Sequence, residues 1–150
     1  MKATPYELKV LQKMQPGAIT LSGFLGEDTR ALDEIVADDA AALALLGYDR
    51  GQLADRMQYF TEASWNSYDT DILVDDVYSV STEVTRGKLP CPYGHAGLYR
   101  KAVTTLVNTR NNIRVCWTSL NIHLIRDHGF FEGRGSVFRL DPETLVQAIF

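Results

Sequence analysis

Apolar residues recur at helical spacing as far as Trp65, after which β-branched residues and alternation take over. The first helix is expected to be capped by Thr4, with Pro5 in its first turn and Glu7 at the capping-box position. Leu8, Leu11 and Met14 supply its apolar stripe, and Gln15-Pro16-Gly17 ends it. A second helix is expected from about Asp28, with Leu32, Ile35, Val36, Leu43 and Leu46 facing inward and Gly47 as its left-handed stop. A third follows at once. Asp49 is its N-cap, Gln52 reaches back from the third position, and Leu53, Met57 and Phe60 form the buried face. The apolar stretch Ala18 to Gly26 fits either a strand or a buried loop.

Beyond a polar loop at Asn66 to Asp71, the pattern changes. Tyr78, Val80, Thr82 and Val84 alternate with Ser79, Ser81, Glu83 and Thr85, the period of a half-buried strand that Arg86-Gly87-Lys88 should end. Residues 99–107 and 113–117 read as two more strands joined by a hairpin turn at Asn108 to Asn112. Thr118 or Ser119 should cap a helix running to about His128 and stopped by Gly129. A brief strand is expected at Val137 to Leu140. Asp141 and Pro142 then start a last helix with Leu145, Val146 and Ile149 inward. Helices first and strands after, with no βαβ alternation, predict an α+β fold. Its form is a helical N-terminal half packed on an antiparallel sheet of three to four strands, with two C-terminal helices. Residues 1–150 are expected to make one domain, with 1–65 and 70–150 as candidate helical and sheet subdomains.

Composition adds boundaries. The chain has 150 residues, 45% of them hydrophobic and 23% charged, which suffices for one core of ordinary size. No apolar run approaches the roughly 20 residues of a membrane span. The opening MKATPYELKV lacks the apolar centre and cleavage pattern of a secretory leader. Two cysteines do not make a disulfide framework at this length, so a cytoplasmic protein with reduced thiols is expected. Residues 1–75 carry 6 basic and 13 acidic side chains, whereas residues 76–150 carry 9 and 6. An acidic first half argues against nucleic acid and anionic membranes as partners, and the basic residues of the second half are scattered singly. The helical corner at residues 28–64 has the outline of a helix-turn-helix, but its acidic surface opposes the phosphate neutralisation that DNA binding needs. Homo-oligomerisation is compatible with everything above.

The residues with the most chemistry are gathered in one window. Both cysteines and all three histidines lie between positions 91 and 128. Cys91-Pro-Tyr-Gly-His95 has a C-x3-H spacing and His123-Leu-Ile-Arg-Asp-His128 an H-x4-H spacing, and both suit ligands converging on a tetrahedral zinc. One geometric objection stands against them. At about 100° per residue, positions five apart on a regular helix point some 140° away from each other, unless the last turn tightens. Without a metal, Cys91 would be a small buried hydrophobe, His95 a loop donor, His123 a core-facing imidazole and His128 a cation at the helix C-terminus. Cys116, beside Trp117, is expected in the core. Cys91 as an activated thiol, with Asp127 orienting a histidine, is a further possibility.

Two other stretches carry weaker signals. Glycines 133 and 135, with Arg134 and Arg139 beside them, could cradle an anion, although the stretch is neither a P-loop nor a dinucleotide fingerprint. Asp69, Asp71, Asp75 and Asp76 lack the Gly and Glu of an EF-hand loop, so a solvated acidic loop is expected. No GxSxG elbow or other catalytic signature is present, and no reaction is assigned. The sequence thus supports a small accessory or binding protein with a metal or small-ligand site in its C-terminal half. The alternative is a protein-interaction or regulatory module working through the acidic helices.

Overall fold

A computed structural model describes residues 3–68 and 70–150. Its elements run α1 (Pro5–Lys13), α2 (Leu32–Leu45), α3 (Arg50–Ala63), β1 (Ile72–Val74), β2 (Tyr78–Pro90), β3 (Leu98–Asn108), β4 (Ile113–Thr118), α4 (Ser119–His128) and α5 (Pro142–Ile149). The strands form one antiparallel sheet in the order β1-β2-β3-β4, so the α+β architecture with two C-terminal helices holds. No helix among the described residues is long and apolar enough to cross a membrane.

The helix starts follow capping chemistry. The Thr4 hydroxyl accepts from the Glu7 amide at 3.1 Å, and Asp49 and Gln52 close a full capping box at 2.8 and 2.9 Å. Two expectations are corrected. Of the stripe expected for α1, Met14 at its C-cap is buried and Leu11 is partly buried, but Leu8 is 52% exposed and Val10 is buried in its place. Helix α2 begins at Leu32 rather than near Asp28, because the Asp28 carboxylate is occupied elsewhere. It accepts from the Arg30 guanidinium and from the Arg134 amide, far along the chain.

Strand β2 does not stop at Arg86-Gly87-Lys88. The ladder shifts register between Thr85 and Lys88, a bulge, and pairing with β3 then resumes as far as Pro90 opposite Leu98. This extension delivers Cys91 to its place. The expected strand at Val137 to Leu140 is absent. Arg139 bonds back to Ser136 and Leu140 to Phe131, so the segment turns instead of pairing with the sheet. Cys116 is only half-buried, since alternation places it on the face opposite its buried neighbours Val115 and Trp117.

Two apolar clusters hold the chain together. One joins α3, α5 and the inner face of the sheet around Phe60, Leu106, Trp117 and Leu145. Beside it runs a chain of buried hydroxyls that ends on the Phe60 carbonyl. Thr61, Thr104, Thr82 and Ser64 are linked at 2.6–2.9 Å, and the Trp117 indole donates to Thr61. The second cluster gathers Val10, Met14, Phe24, Ile35, Leu124 and Phe130, with Cys91 among them. Helix α4 serves both, giving Ile122 and Ile125 to the first and Leu120 and Leu124 to the second. A helix buried on that much of its circumference holds its side chains in fixed positions.

Candidate metal centre

Three segments meet at one end of α4. The first is the turn after β2. Cys91 is 2% exposed, the Gly94 amide bonds back to the Cys91 carbonyl at 3.0 Å, and Gly94 adopts φ +84, a conformation few other residues accept. The Tyr6 hydroxyl of α1 donates to the Tyr93 carbonyl at 2.6 Å and pins this turn from outside. The second segment is the start of β3, which supplies Tyr99.

The third is α4 itself. Thr118 and Asn121 form a capping box at its start, and Gly129 in the left-handed region ends it. The helix does not tighten toward its end, for the Gly129 amide reaches the Ile125 carbonyl at 3.0 Å in the ordinary α pattern. His123 and His128 converge all the same, with ring centroids 5.3 Å apart at 83°. The angular objection treated α4 alone, whereas the site is closed by a turn lying against its final residues.

One ligand atom from each of Cys91, His95, His123 and His128 lies within 4.8 Å of the others. Cys91 Sγ and His128 Nε2 are 3.5 Å apart. Metal–sulfur and metal–nitrogen bonds of zinc imply tetrahedral edges of about 3.3–3.6 Å, so that pair already has the required spacing. His95 is the exposed member, and its ring lies 4.4 Å from that of His128. This Cys/His cluster can hold a metal ion.

The surroundings orient the donors. His123 Nδ1 lies 2.7 Å from the Asp127 carboxylate and 2.9 Å from the Tyr99 hydroxyl. Its Nε2 is buried without a hydrogen-bond partner among the described residues. A buried imidazole nitrogen left unsatisfied is costly, and an ion in the cluster would satisfy it. Tyr93 stacks on His128 at 3.9 Å and 7°, and Tyr99 on His123 at 4.4 Å and 23°.

Charge states follow from burial. Burial and the two neighbouring imidazoles push His128 down to about 4, so it is not the helix-end cation expected without a metal. Burial also lowers His123, against the pull of Asp127. Both rings therefore offer neutral nitrogen at pH 7. Burial raises the Cys91 thiol, while the amides of Tyr93, His95 and Gly94 favour its thiolate. A raised thiol is the opposite of an activated nucleophile, and Asp127 pairs with His123 rather than with the ring nearest the sulfur.

The glycine-rich stretch lies against the 24–27 segment. The Gly133 amide donates to the Phe24 carbonyl at 2.8 Å, the Glu27 amide to the Arg134 carbonyl at 2.9 Å, and the Arg134 amide to Asp28. Gly135 adopts φ +84. Arg139 is committed to Asp39 through both terminal nitrogens, at 2.5 and 2.8 Å. In the acidic loop, Asp75 accepts from the Tyr59 hydroxyl at 3.0 Å, and Asp69 lies outside the described residues. Sequence reasoning missed Tyr93, Tyr99 and Glu132. An acid set between Phe131 and Gly133 was the signal available for Glu132.

Comparison of the chain with protein-family models, curated proteins and solved structures finds no match.

Proposed function

We propose that this chain binds one zinc ion through Cys91, His95, His123 and His128, and that the ion staples the Cys91–His95 turn to α4. The observation that carries the reading is that one ligand atom from each of the four residues lies within 4.8 Å of the others, beside a His123 ring whose buried Nε2 has no hydrogen-bond partner among the described residues. One thiolate with three imidazoles suits zinc better than harder, oxygen-seeking cations. Four protein ligands close a tetrahedron, which favours a structural ion over a catalytic one with an open position.

On this reading the protein is a small binding or accessory protein. A pocket of about 370 Å³ opens beside the centre, with Tyr99, Arg100, His123 and Asp127 on its wall, so the ion would fix that wall. The cytoplasm suits it, because both cysteines are free thiols. The alternative of an interaction module on the acidic helices is weakened, since Asp38 and Asp39 of α2 and Asp55 of α3 are already paired with arginines.

Cobalt substitution tests the proposal. Metal-free protein loaded with Co²⁺ should give the intense visible bands of a tetrahedral ion and a sulfur-to-cobalt charge-transfer band. The latter should vanish in Cys91→Ser. A weak octahedral spectrum, or a charge-transfer band that survives the substitution, contradicts it.

A further inference from the structure

Away from the histidines, one buried carboxyl has no cation of its own. Glu132 is 3% exposed. Its two oxygens accept from Asn121 Nδ2 at 2.7 Å and from the Ser136 hydroxyl at 2.6 Å, both neutral donors. It makes no ion pair among the described residues. The nearby Arg139 pairs with Asp39 and donates to the Glu132 backbone carbonyl, and its charge opposes the effect of burial on the Glu132 carboxyl without outweighing it. A carboxylate has about four acceptor positions, so the two protein donors leave capacity on both oxygens.

Glu132 lines a pocket of about 240 Å³ whose other walls are mainly apolar, among them Phe24, Leu89, Leu120 and Phe138. A second cleft of about 280 Å³ shares Leu21, Leu89, Leu120 and Phe138 and continues to β3, where Ala102 and Val103 line it together with Arg100 and Lys101, so the cationic end of the region lies away from Glu132. At the rim, Leu21 is 90% exposed and Val137 66% exposed. Apolar side chains left in water around a concave apolar floor mark a surface that gains by being covered. Burial pushes Glu132 up to about 7, and a cation beside it would restore the ionised form.

We infer that this pocket binds a small organic ammonium ion, with its apolar body against Phe24, Leu120 and Phe138 and its charged nitrogen on the Glu132 carboxylate. Charge complementarity selects the ammonium over a neutral or anionic ligand of the same shape. Glu132 also sits at φ +68, outside the region most residues prefer, and the Asn121 and Ser136 bonds hold it there. The inference does not depend on the zinc reading, because none of the four metal donors lines this pocket.

The test uses the full chain and thermal melting with 2-phenylethylammonium and with 2-phenylethanol, which has the same body without the charge. The ammonium should raise the melting temperature saturably. The alcohol should bind at least about ten-fold more weakly. Glu132→Gln, which keeps the shape and one hydrogen bond to each neighbour, should abolish the preference. Leu21→Lys, at an exposed position where folding is not at stake, should weaken the ammonium by placing a cation at the mouth. An equal response to the alcohol, a response undiminished in both variants, or no response to the ammonium in the wild type overturns the inference. Metal content measured on the same samples separates its failure from any failure of the zinc site.

Discussion

The Nδ1 of His123 lies 2.7 Å from the Asp127 carboxylate one helical turn later, while the opposite nitrogen of the same ring is buried with no hydrogen-bond partner among the described residues. A carboxylate on Nδ1 holds the proton there and turns Nε2 into a lone-pair donor. Asp127→Asn should therefore lower zinc affinity by about 10–100-fold while leaving the fold in place. Competition with a chromogenic chelator measures this directly. An unchanged affinity means that Asp127 is a surface group and His123 is oriented by packing alone.

The charge states of the ligands predict how many protons leave when the ion binds. His123 and His128 are held below their ordinary values, so at pH 7.5 they are already neutral and release none. The Cys91 thiol is raised, so it enters protonated and must give its proton up. Titration calorimetry in buffers of different ionisation enthalpy should show release of about one proton per ion. The affinity of the site should rise with pH above neutrality. Release of none would indicate that the sulfur is not a ligand.

Close backbone approach, not conformational freedom, explains Gly133. A Cβ there would stand 2.3 Å from the Leu25 carbonyl oxygen and 2.8 Å from its carbon, whereas one at Gly47 meets nothing within 4 Å. Gly133→Ala should cost about 3 kcal/mol or more, because two backbone segments must separate. Gly47→Ala should cost only about 1 kcal/mol, for its φ of +81 alone. Urea denaturation of both variants checks the ranking, and equal losses would show that the 24–27 and 133–136 segments are not tightly paired.

Much of this was legible in the chain and some was not, for physical reasons. Caps and periodicities are local, so Thr4, Asp49, Thr118 and Asp141 marked their helices correctly. The four residues of the Cys/His cluster were also visible, since C-x3-H and H-x4-H are spacings within single segments. That the two segments meet was not, because it depends on β2 continuing through a bulge to Pro90. The partners of His123 came from residues of no distinctive pattern, Tyr99 at the start of a strand and Asp127 in an ordinary helical turn. Leu8 and Val10 show the same limit on a smaller scale. Both lie on plausible apolar faces of α1, and only the position of the neighbouring segments decides which is covered.

The most direct measurement is the metal content, by plasma mass spectrometry, of untagged protein purified without chelator. The account predicts about one zinc per chain, lost in His123→Ala together with a lowered melting temperature. Protein that is empty as isolated and stays empty after incubation with zinc, or a stoichiometry unchanged by His123→Ala, would contradict it.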